Sequence, residues 1–120
     1  MKTKLTKEQS QALIDLGVPE KMASDELVED LEQAYDDKPR PKIFTLTDLL
    51  EILPKYIDCE VEGTNYAADF ICFWNNRFLH YEAGYYRYDM WDKSHRCTDE
   101  LIDALYKLTV WCIENGHLKF

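Results

Sequence analysis

The chain has 120 residues, of which 46% are hydrophobic and 31% are charged, with only four Gly and four Pro. This composition fits one globular domain and excludes collagen-like and low-complexity chains, while the net charge of −9 argues against direct binding to a nucleic-acid backbone. The longest apolar run covers residues 70–74, whereas a membrane helix needs about 20 residues. The first residues lack the apolar centre of a signal peptide. We therefore expect an acidic, soluble, cytoplasmic domain without a membrane partner.

Residues 1–35 carry helical patterns. Thr6, followed three residues later by Gln9, forms a capping-box pattern that predicts a helix over residues 6–16, ending at Gly17. A short second segment follows over residues 18–23, and Ser24 is predicted to cap a third helix. The other face of this third helix is strongly acidic, which is typical of a solvated helix surface. Its acidic residues are Asp25, Glu26, Glu29, Asp30, Glu32, Asp36 and Asp37.

Residues 36–42 separate this helical part from the rest of the chain. Pro39 and Pro41 push the residues before them toward extended conformations, so we predict a linker there. Residues 1–35 are too few for a good core of their own, so we expect them to join residues 43–120 in one domain. After the linker, Thr45 and the following residues repeat a capping pattern and open a short helix, which Pro54 stops.

From residue 57 the spacing of apolar residues changes from a helical period to a period of two, which indicates β-strands. We predict strands over residues 57–62, 66–74, 78–81 and 85–91, with turns at 63–64 and 75–76 and a three-residue loop at 82–84. A last helix is predicted with Thr98 as N-cap and Gly116 as its stop. The predicted fold class is α+β: N-terminal short helices, a four-stranded antiparallel meander, and a long C-terminal helix packed on the sheet.

Ten of the 16 aromatic residues of the chain lie in the meander, between residues 66 and 91. Because side chains alternate along a strand, the predicted registers place rings on both faces of the sheet. The C-terminal helix can cover only one face, so the other is covered by the N-terminal helices or by another protein chain. One predicted face holds Phe70, Cys72, Trp74, Leu79, Tyr81, Tyr85 and Arg87, and the other holds Ile71, Phe73, Phe78, His80, Tyr86, Tyr88 and Met90.

The many tyrosines of the meander indicate a binding surface. Each hydroxyl needs a hydrogen-bond partner or water, so a dry core would favour Phe instead. Tyr, Trp and Arg are also enriched at protein interfaces. We therefore predict that one face of the sheet binds a protein partner or a second copy of the chain, without direct contact to nucleic acid. The predicted binding residues are Trp74, Tyr81, Tyr85, Tyr86, Arg87 and Tyr88.

The cysteines show no paired spacing of the kind that zinc sites use. Without an export signal, disulfides are not expected either, so we predict free thiols. The nearest approach to a ligand cluster is the pair His95 and Cys97, which would need two more ligands, such as His80 or His117. We predict no metal and no cofactor. The four cysteines are Cys59, Cys72, Cys97 and Cys112.

No nucleophile elbow, phosphate-binding loop, dinucleotide fingerprint or zinc-protease motif occurs in the chain. The candidate acid–base set is His80, Glu82, Arg87 and Asp89. With a three-residue loop at 82–84, His80 lies opposite Tyr86 rather than Arg87, so the set does not assemble and no catalytic residue is predicted. Two alternatives to a binding module remain: a small enzyme with a pocket near His80, and an acidic decoy of nucleic acid that inhibits a host protein.

Three segments stand out beside the tyrosine-rich meander: LTKEQSQALIDLGVPEKMAS (5–24), FTLTDLLEILPKYI (44–57) and LIDALYKLTVWCIENGHLK (101–119). Together they resemble a family of small uncharacterised proteins from gut Bacteroidetes genomes and their prophages or mobile elements. The resemblance covers nearly the whole chain and rests on helix caps, leucine stripes and a terminal glycine, so it transfers no catalytic residue. It implies a phage-linked or accessory role rather than one in essential metabolism.

Overall fold

A computed structural model describes residues 1–27, 40–88 and 90–120. Within these ranges the chain is an α+β fold whose main antiparallel sheet packs against the C-terminal helix. A second, two-stranded sheet lies in the N-terminal half. In chain order the elements are α1 (Lys7–Asp15), a 3₁₀ turn (Glu20–Met22), β1 (Asp25–Glu26), β2 (Lys42–Ile43), α2 (Leu46–Ile52), β3 (Tyr56–Val61), β4 (Thr64–Asn75), β5 (His80–Arg87), β6 (Met90–Trp91), β7 (Arg96–Thr98) and α3 (Leu101–Glu114).

Helices α1 and α2 begin where the capping patterns predicted. At α1, the Thr6 hydroxyl accepts from the Gln9 N–H at 3.1 Å, and the Gln9 side chain accepts from the Thr6 N–H at 3.0 Å. Thr45 and Asp48 form the same reciprocal pair at α2, at 3.2 and 2.8 Å. Each pair satisfies N–H groups that a helix start leaves without an intrahelical partner, which fixes where the helix begins.

The predicted third helix does not begin at Ser24. Its first residues form β1, which pairs antiparallel with β2, and the ion pair of Glu26 with Lys42 crosses the two strands. Ser24 instead donates to the Asp48 carboxylate from both its N–H and its hydroxyl, each at 2.9 Å. The prediction failed because these long-range partners outweigh the local helix signal. The rest of that predicted helix and the first part of the predicted linker fall in residues 28–39, outside the described residues.

The main sheet has the order β3-β4-β5-β6, and β7 pairs with β5 beside β6, so it has five strands rather than the predicted four. The predicted loop at residues 82–84 is wrong, because β5 runs through it without a break and Ala83 pairs with Cys72. Gly84 provides space instead of a turn: a Cβ atom there would lie 3.0 Å from the Cα atom of His95 and 3.1 Å from the Trp91 ring. The hairpin turn between β4 and β5 lies at residues 76–79.

The register of β4 with β5 confirms the predicted face of most rings. Trp74 pairs with Tyr81 and Phe70 pairs with Tyr85, so these four side chains share one side of the sheet. These faces were predicted correctly although the loop was not. An uninterrupted strand places residues 81 and 85 on the same face, and the predicted three-residue loop would have done so too. We call this side the inner face; it also carries Cys72 and Ala83. The outer face is the opposite side, with Ile71, Phe73, His80, Glu82 and Tyr86.

Four predicted face assignments do not hold. Phe78 and Leu79 lie in the hairpin turn rather than in a strand, and Leu79 has a positive φ of 54°. Tyr88 also lies in a turn, with a φ of 52°. Met90 pairs with Arg87, which places it on the inner face instead of the outer one. The cause is the position of the turns: the first covers residues 76–79 rather than 75–76, and the second includes Tyr88 rather than residues 82–84.

Helix α3 packs on the inner face and completes the core. Leu105, Leu108 and Cys112 are fully buried and belong to one hydrophobic cluster with Tyr85 of the sheet. The same cluster contains Leu13 of α1, so the parts on the two sides of residues 36–42 share a core. Burying both the sheet and the N-terminal helices against α3 explains why its sequence is apolar over such a wide arc.

The last helix starts later than predicted but ends as expected. Its N-cap is Glu100, whereas Thr98 is the last residue of β7 and donates its hydroxyl to the Glu100 carbonyl oxygen. After Glu114, Gly116 adopts a φ of 76°, a conformation suited to glycine. Across the described part of the chain, no helix has both the length and the apolar character needed to cross a membrane.

Candidate functional site

The end of the β4–β5 hairpin carries a cluster of exposed apolar side chains. Trp74 is 45% exposed, Phe78 is 62% exposed and Leu79 is 66% exposed. Phe73, one residue before Trp74, is exposed as well. Exposed large apolar side chains gathered at one end of a hairpin are candidates for an interaction site. We call residues 73–81, which include Tyr81, the hairpin tip.

Polar and aromatic contacts hold the hairpin tip in one shape. The Asn75 side-chain oxygen accepts from the N–H groups of Arg77 and Phe78, at 3.0 and 3.2 Å. The Trp74 and Tyr81 rings meet edge to face with centroids 4.9 Å apart, and the Arg77 guanidinium lies 5.4 Å from the centre of the Phe78 ring. A surface that is already ordered loses less conformational entropy when it binds.

Beside the hairpin tip, β4 has an open edge. Strand β3 pairs with β4 only as far as Asp69, and one further hydrogen bond joins the Phe70 N–H to the Lys55 carbonyl oxygen at 2.9 Å. Among the described residues, no strand pairs with this edge over residues 71–75. Since backbone groups alternate along a strand, the N–H and C=O groups of Cys72 and Trp74 point toward the open edge. Such an edge can pair with a strand of another chain.

The predicted binding residues do not form one surface. Trp74 and Tyr81 belong to the hairpin tip. Tyr85 is fully buried on the inner face, where its hydroxyl donates to the Pro54 carbonyl oxygen at 2.7 Å. Burial raises the pKa of Tyr85, with Cys112 beside it adding to the effect. Tyr85 is therefore part of the core, and its hydroxyl has an internal partner rather than a wet rim.

The other predicted binding residues lie at the opposite end of β5. The Tyr86 ring meets the Trp91 ring edge to face at 5.3 Å, and the Arg87 guanidinium lies 4.9 Å from the centre of the exposed Tyr88 ring. A cavity of about 260 Å³ opens near this end, with Cys59 among its lining residues. Its volume is below the roughly 300–1,000 Å³ typical of small-molecule sites. Burial and the nearby Asp92 carboxylate raise the pKa of Cys59 to about 11, so this thiol is not an activated nucleophile.

A second feature lies on the outer face, where β5 meets β7. His80 and Glu82 of β5 converge there with His95 and Cys97. The nearest pair is Nε2 of His95 and Oε1 of Glu82, which are 2.9 Å apart. The Cys97 Sγ atom lies 3.6 Å from the same His95 nitrogen and 3.8 Å from that Glu82 oxygen. Nε2 of His80 lies 3.7 Å from the other Glu82 oxygen. We call these four residues the His–Glu–Cys cluster.

Hydrogen bonds set the charge of Glu82 at the centre of this cluster. Burial by itself would raise the pKa of Glu82, but hydrogen bonds from Asn75 and His95, helped by the two nearby imidazoles, outweigh burial and hold the pKa below its usual value. The Asn75 amide donates to Oε2 at 2.6 Å. For Cys97, burial and the neighbouring Glu82 carboxylate raise the pKa of the thiol. The cluster thus combines a carboxylate with a protonated thiol.

The cluster is not arranged as a nucleophile–base–acid relay. In such a relay the imidazole contacts the nucleophile with one nitrogen and the acid with the other. Here Nε2 of His95 faces both Cys97 and Glu82, and the thiol pKa is raised rather than lowered. Arg87, from the candidate acid–base set, is on the inner face, and Asp89 lies outside the described residues. The donor atoms instead converge on one region of space.

The sequence contained a signal for this cluster that the predicted loop concealed. His80 and Glu82 are two residues apart, as are His95 and Cys97. On strands this spacing puts both members of each pair on the same face. Only the continuity of β5 and the pairing of Glu82 with Cys97 bring the two pairs together. His117, the other ligand that the sequence suggested, stacks on Trp111 at 5.0 Å instead.

The cysteines are free thiols, as predicted. In comparisons with known proteins, the chain matches no protein-family model, no curated protein and no solved structure.

Proposed function

We propose that the protein is a non-enzymatic protein-binding module that docks through the hairpin tip and the open edge of β4. The observation that supports it most is the exposure of Trp74 at the end of β4 and of Phe78 and Leu79 on the ordered turn that follows, beside a strand edge that no other described strand pairs with. Removing apolar surface from water contributes about 25 cal/mol per Å² to binding. Interface energy concentrates on a few large side chains, with Trp among the most frequent.

The open edge suggests how a partner binds. A strand of the partner would pair with the backbone of Cys72 and Trp74, extending the sheet. Because neighbouring side chains alternate, Phe73 and Trp74 would contact it from opposite faces. A second copy of this chain is the simplest partner, since two β4 edges aligned antiparallel form a symmetric contact.

Because the net charge is strongly negative, the salt dependence of binding distinguishes a second copy of the chain from a basic partner. Two chains that each carry a charge of −9 repel one another, and salt screens that repulsion. Self-association is therefore expected to strengthen as the salt concentration increases. Binding to a basic protein is expected to weaken under the same change, as the acidic-decoy alternative would also require.

The biological setting is part of the same proposal. An accessory, phage- or mobile-element-associated role follows from the resemblance. The genes next to this one provide a test. Phage structural genes or a defence operon beside it would support an accessory role, whereas a metabolic operon would argue against it.

Sedimentation velocity over a concentration series tests the docking surface. We expect the wild-type chain to associate reversibly and the Trp74→Pro variant to remain monomeric. Proline removes both the ring and the N–H that points to the open edge, and edge positions of this kind tolerate proline. Trp74→Thr, which removes only the ring, is expected to weaken association by at least about 2 kcal/mol, roughly 30-fold.

Tyr88→Ser is the matched control, because Tyr88 is an exposed aromatic residue at the opposite end of β5 from the hairpin tip. It should associate like the wild type. If the wild type is monomeric at every concentration, affinity capture from the native host compares wild type with Trp74→Pro. A monomer whose captured proteins are the same with and without this substitution would contradict the proposal.

A further inference from the structure

We propose that the His–Glu–Cys cluster is a binding site for a divalent transition-metal ion, with zinc as the expected ion. The ligands would be Nε2 of His80, one carboxylate oxygen of Glu82, Nε2 of His95 and Sγ of Cys97. The site can bind an ion without any docking partner, and His80 is the one cluster residue that also belongs to the hairpin tip.

The spacing of the donor atoms fits a tetrahedral ion. With zinc–nitrogen and zinc–oxygen bonds of about 2.0–2.1 Å and zinc–sulfur bonds of about 2.3 Å, tetrahedral ligand atoms lie about 3.3–3.6 Å apart. The distances of 3.6 Å (Nε2 of His95 to Sγ of Cys97) and 3.8 Å (Sγ of Cys97 to Oε1 of Glu82) are close to that range. The donor atoms of His80, Glu82 and Cys97 all lie within 4.8 Å of one another. On ion binding, the 2.9 Å hydrogen bond between His95 and Glu82 would lengthen by about 0.4 Å, and the His80 ring would move toward the other donors.

The backbone places these donors before any ion binds. Glu82 and Cys97 are directly opposed on β5 and β7, so their side chains leave the sheet on the same face. His80 is two residues before Glu82, and His95 is two residues before Cys97, which brings all four to one place. His80, Glu82 and Cys97 lie on paired strands, which hold ligands more rigidly than loops do, and His95 directly precedes β7.

The surroundings orient the ligands. Asn75 holds one Glu82 oxygen at 2.6 Å, which leaves the other oxygen for an ion. The Trp91 ring stacks on the His95 ring with centroids 4.0 Å apart, and the Phe78 ring stacks on the His80 ring at 5.9 Å. Such outer contacts fix ligand orientation in established metal sites.

One buried atom of the cluster lacks a partner. Nε2 of His80 is shielded from solvent and has no hydrogen bond within the described residues. A buried polar atom without a partner costs about 1–3 kcal/mol, so such atoms usually serve a purpose. An ion would satisfy this nitrogen together with the three other donors. Cys97 is the exposed member, and it gives an ion a path into the site.

The donor chemistry favours zinc over calcium or magnesium. Two imidazoles, one thiolate and one carboxylate suit a borderline-soft ion, whereas calcium and magnesium select oxygen ligands. Cys97 must lose its proton when the zinc–sulfur bond forms, and this proton passes to the buffer. No oxidation or reduction accompanies the step.

Metal titration of the full-length protein, first stripped with a chelator, tests the site. We expect one Zn²⁺ per chain, with a Kd below about 1 μM measured in competition with a chromophoric chelator. This affinity is weaker than that of zinc-finger sites. Co²⁺ should give intense visible bands of a tetrahedral ion and a near-ultraviolet band from thiolate-to-cobalt charge transfer. Cys97→Ser should remove the charge-transfer band. It should also weaken Zn²⁺ binding by more than the roughly 10–100-fold that is typical when a residue supporting a ligand is changed, because Cys97 is itself a ligand.

One further variant of the cluster and two control variants complete the test. His80→Gln should retain the sulfur band while weakening Zn²⁺ binding, which covers the case of a Cys97 variant that does not fold. Cys59→Ser and His117→Gln, which change the same residue types outside the cluster, should leave both signals unchanged. Absence of a stoichiometric Co²⁺ band, or a charge-transfer band that survives Cys97→Ser, would overturn the proposal.

Discussion

The two faces of the main sheet differ in what covers them and in what their side chains do. On the inner face, Ala83 and Tyr85 are fully buried against α3, and small and large side chains alternate to fill the space beneath the helix. On the outer face, the chain covers its own sheet with Trp91 and His95, and Phe73 remains exposed. Titratable donors and accessible rings gather on this second face and at the hairpin tip. The contrast teaches that one sheet can bury a packed core against a helix on one face and hold a cluster of titratable side chains on the other.

The largest loss of stability should come from removing a buried side chain from the inner face. Tyr85→Ala removes a fully buried ring and leaves a cavity against α3, so we expect the free energy of unfolding to decrease by about 3–5 kcal/mol. Urea denaturation followed by circular dichroism measures it. Tyr85→Phe keeps the ring but leaves the Pro54 carbonyl oxygen without its donor, and should cost less, about 1–2 kcal/mol. A near-neutral Tyr85→Ala would contradict the assignment of Tyr85 to the core.

A substitution on the outer face tests how closely residues 91–95 pack on the sheet. Gly84→Ala places a Cβ atom 3.0 Å from the His95 Cα atom, so the backbone of residues 91–95 must shift. We expect a loss of about 1–3 kcal/mol in thermal or chemical unfolding. We also expect weaker Zn²⁺ binding, because His95 moves with this segment. Unchanged stability and unchanged metal binding would show that the segment is not held against Gly84.

Alkaline pH should weaken the inner face through Cys112. Burial raises the pKa of this thiol to about 11, above its value in an unfolded chain, so the folded state favours the neutral form. The stabilisation is complete below pH about 9 and is lost as the pH increases toward 11, a change on the order of 1–2 kcal/mol. Chemical denaturation at pH 8 and at pH 10.5 should show this loss. Cys112→Ala should show a smaller loss, and an equal loss in both proteins would contradict the assignment.

The smallest effect on stability should come from the hairpin tip. Trp74→Thr and Phe78→Ser replace exposed side chains, so the free energy of unfolding should stay within about 0.5 kcal/mol of the wild type. Association should decrease in the same variants. A large loss of stability would mean that these rings belong to the core and not to a docking surface.

Local signals in the sequence predicted the parts of the fold that local chemistry decides. The capping boxes at Thr6 and Thr45 and the stop at Gly116 depend on residues a few positions apart, and they are confirmed. Ser24 failed as a helix cap because its partner, Asp48, is 24 residues away. No residue near Ser24 in the sequence predicts that hydrogen bond.

Gly84 shows why the candidate site was harder to predict than the fold. In the sequence, a glycine that follows Glu82 and Ala83 is typical of a turn. In the structure, a glycine is needed there because the Trp91 ring and the His95 backbone, which come later in the chain, lie against it. The predicted loop at 82–84 took Glu82 out of the strand, so the pairing of Glu82 with Cys97 could not be predicted. The faces of the aromatic rings were nonetheless predictable, because alternation depends on parity and not on where the strand ends.

Amide hydrogen exchange at Cys72 and Trp74, followed by NMR, tests the docking account most directly. Their N–H groups point to the open edge of β4, so we expect fast exchange in dilute solution. In concentrated protein, or with a captured partner, both amides should become protected as a new strand pairs with the edge. Slow exchange in dilute solution, or no added protection when the partner binds, would contradict docking through this edge.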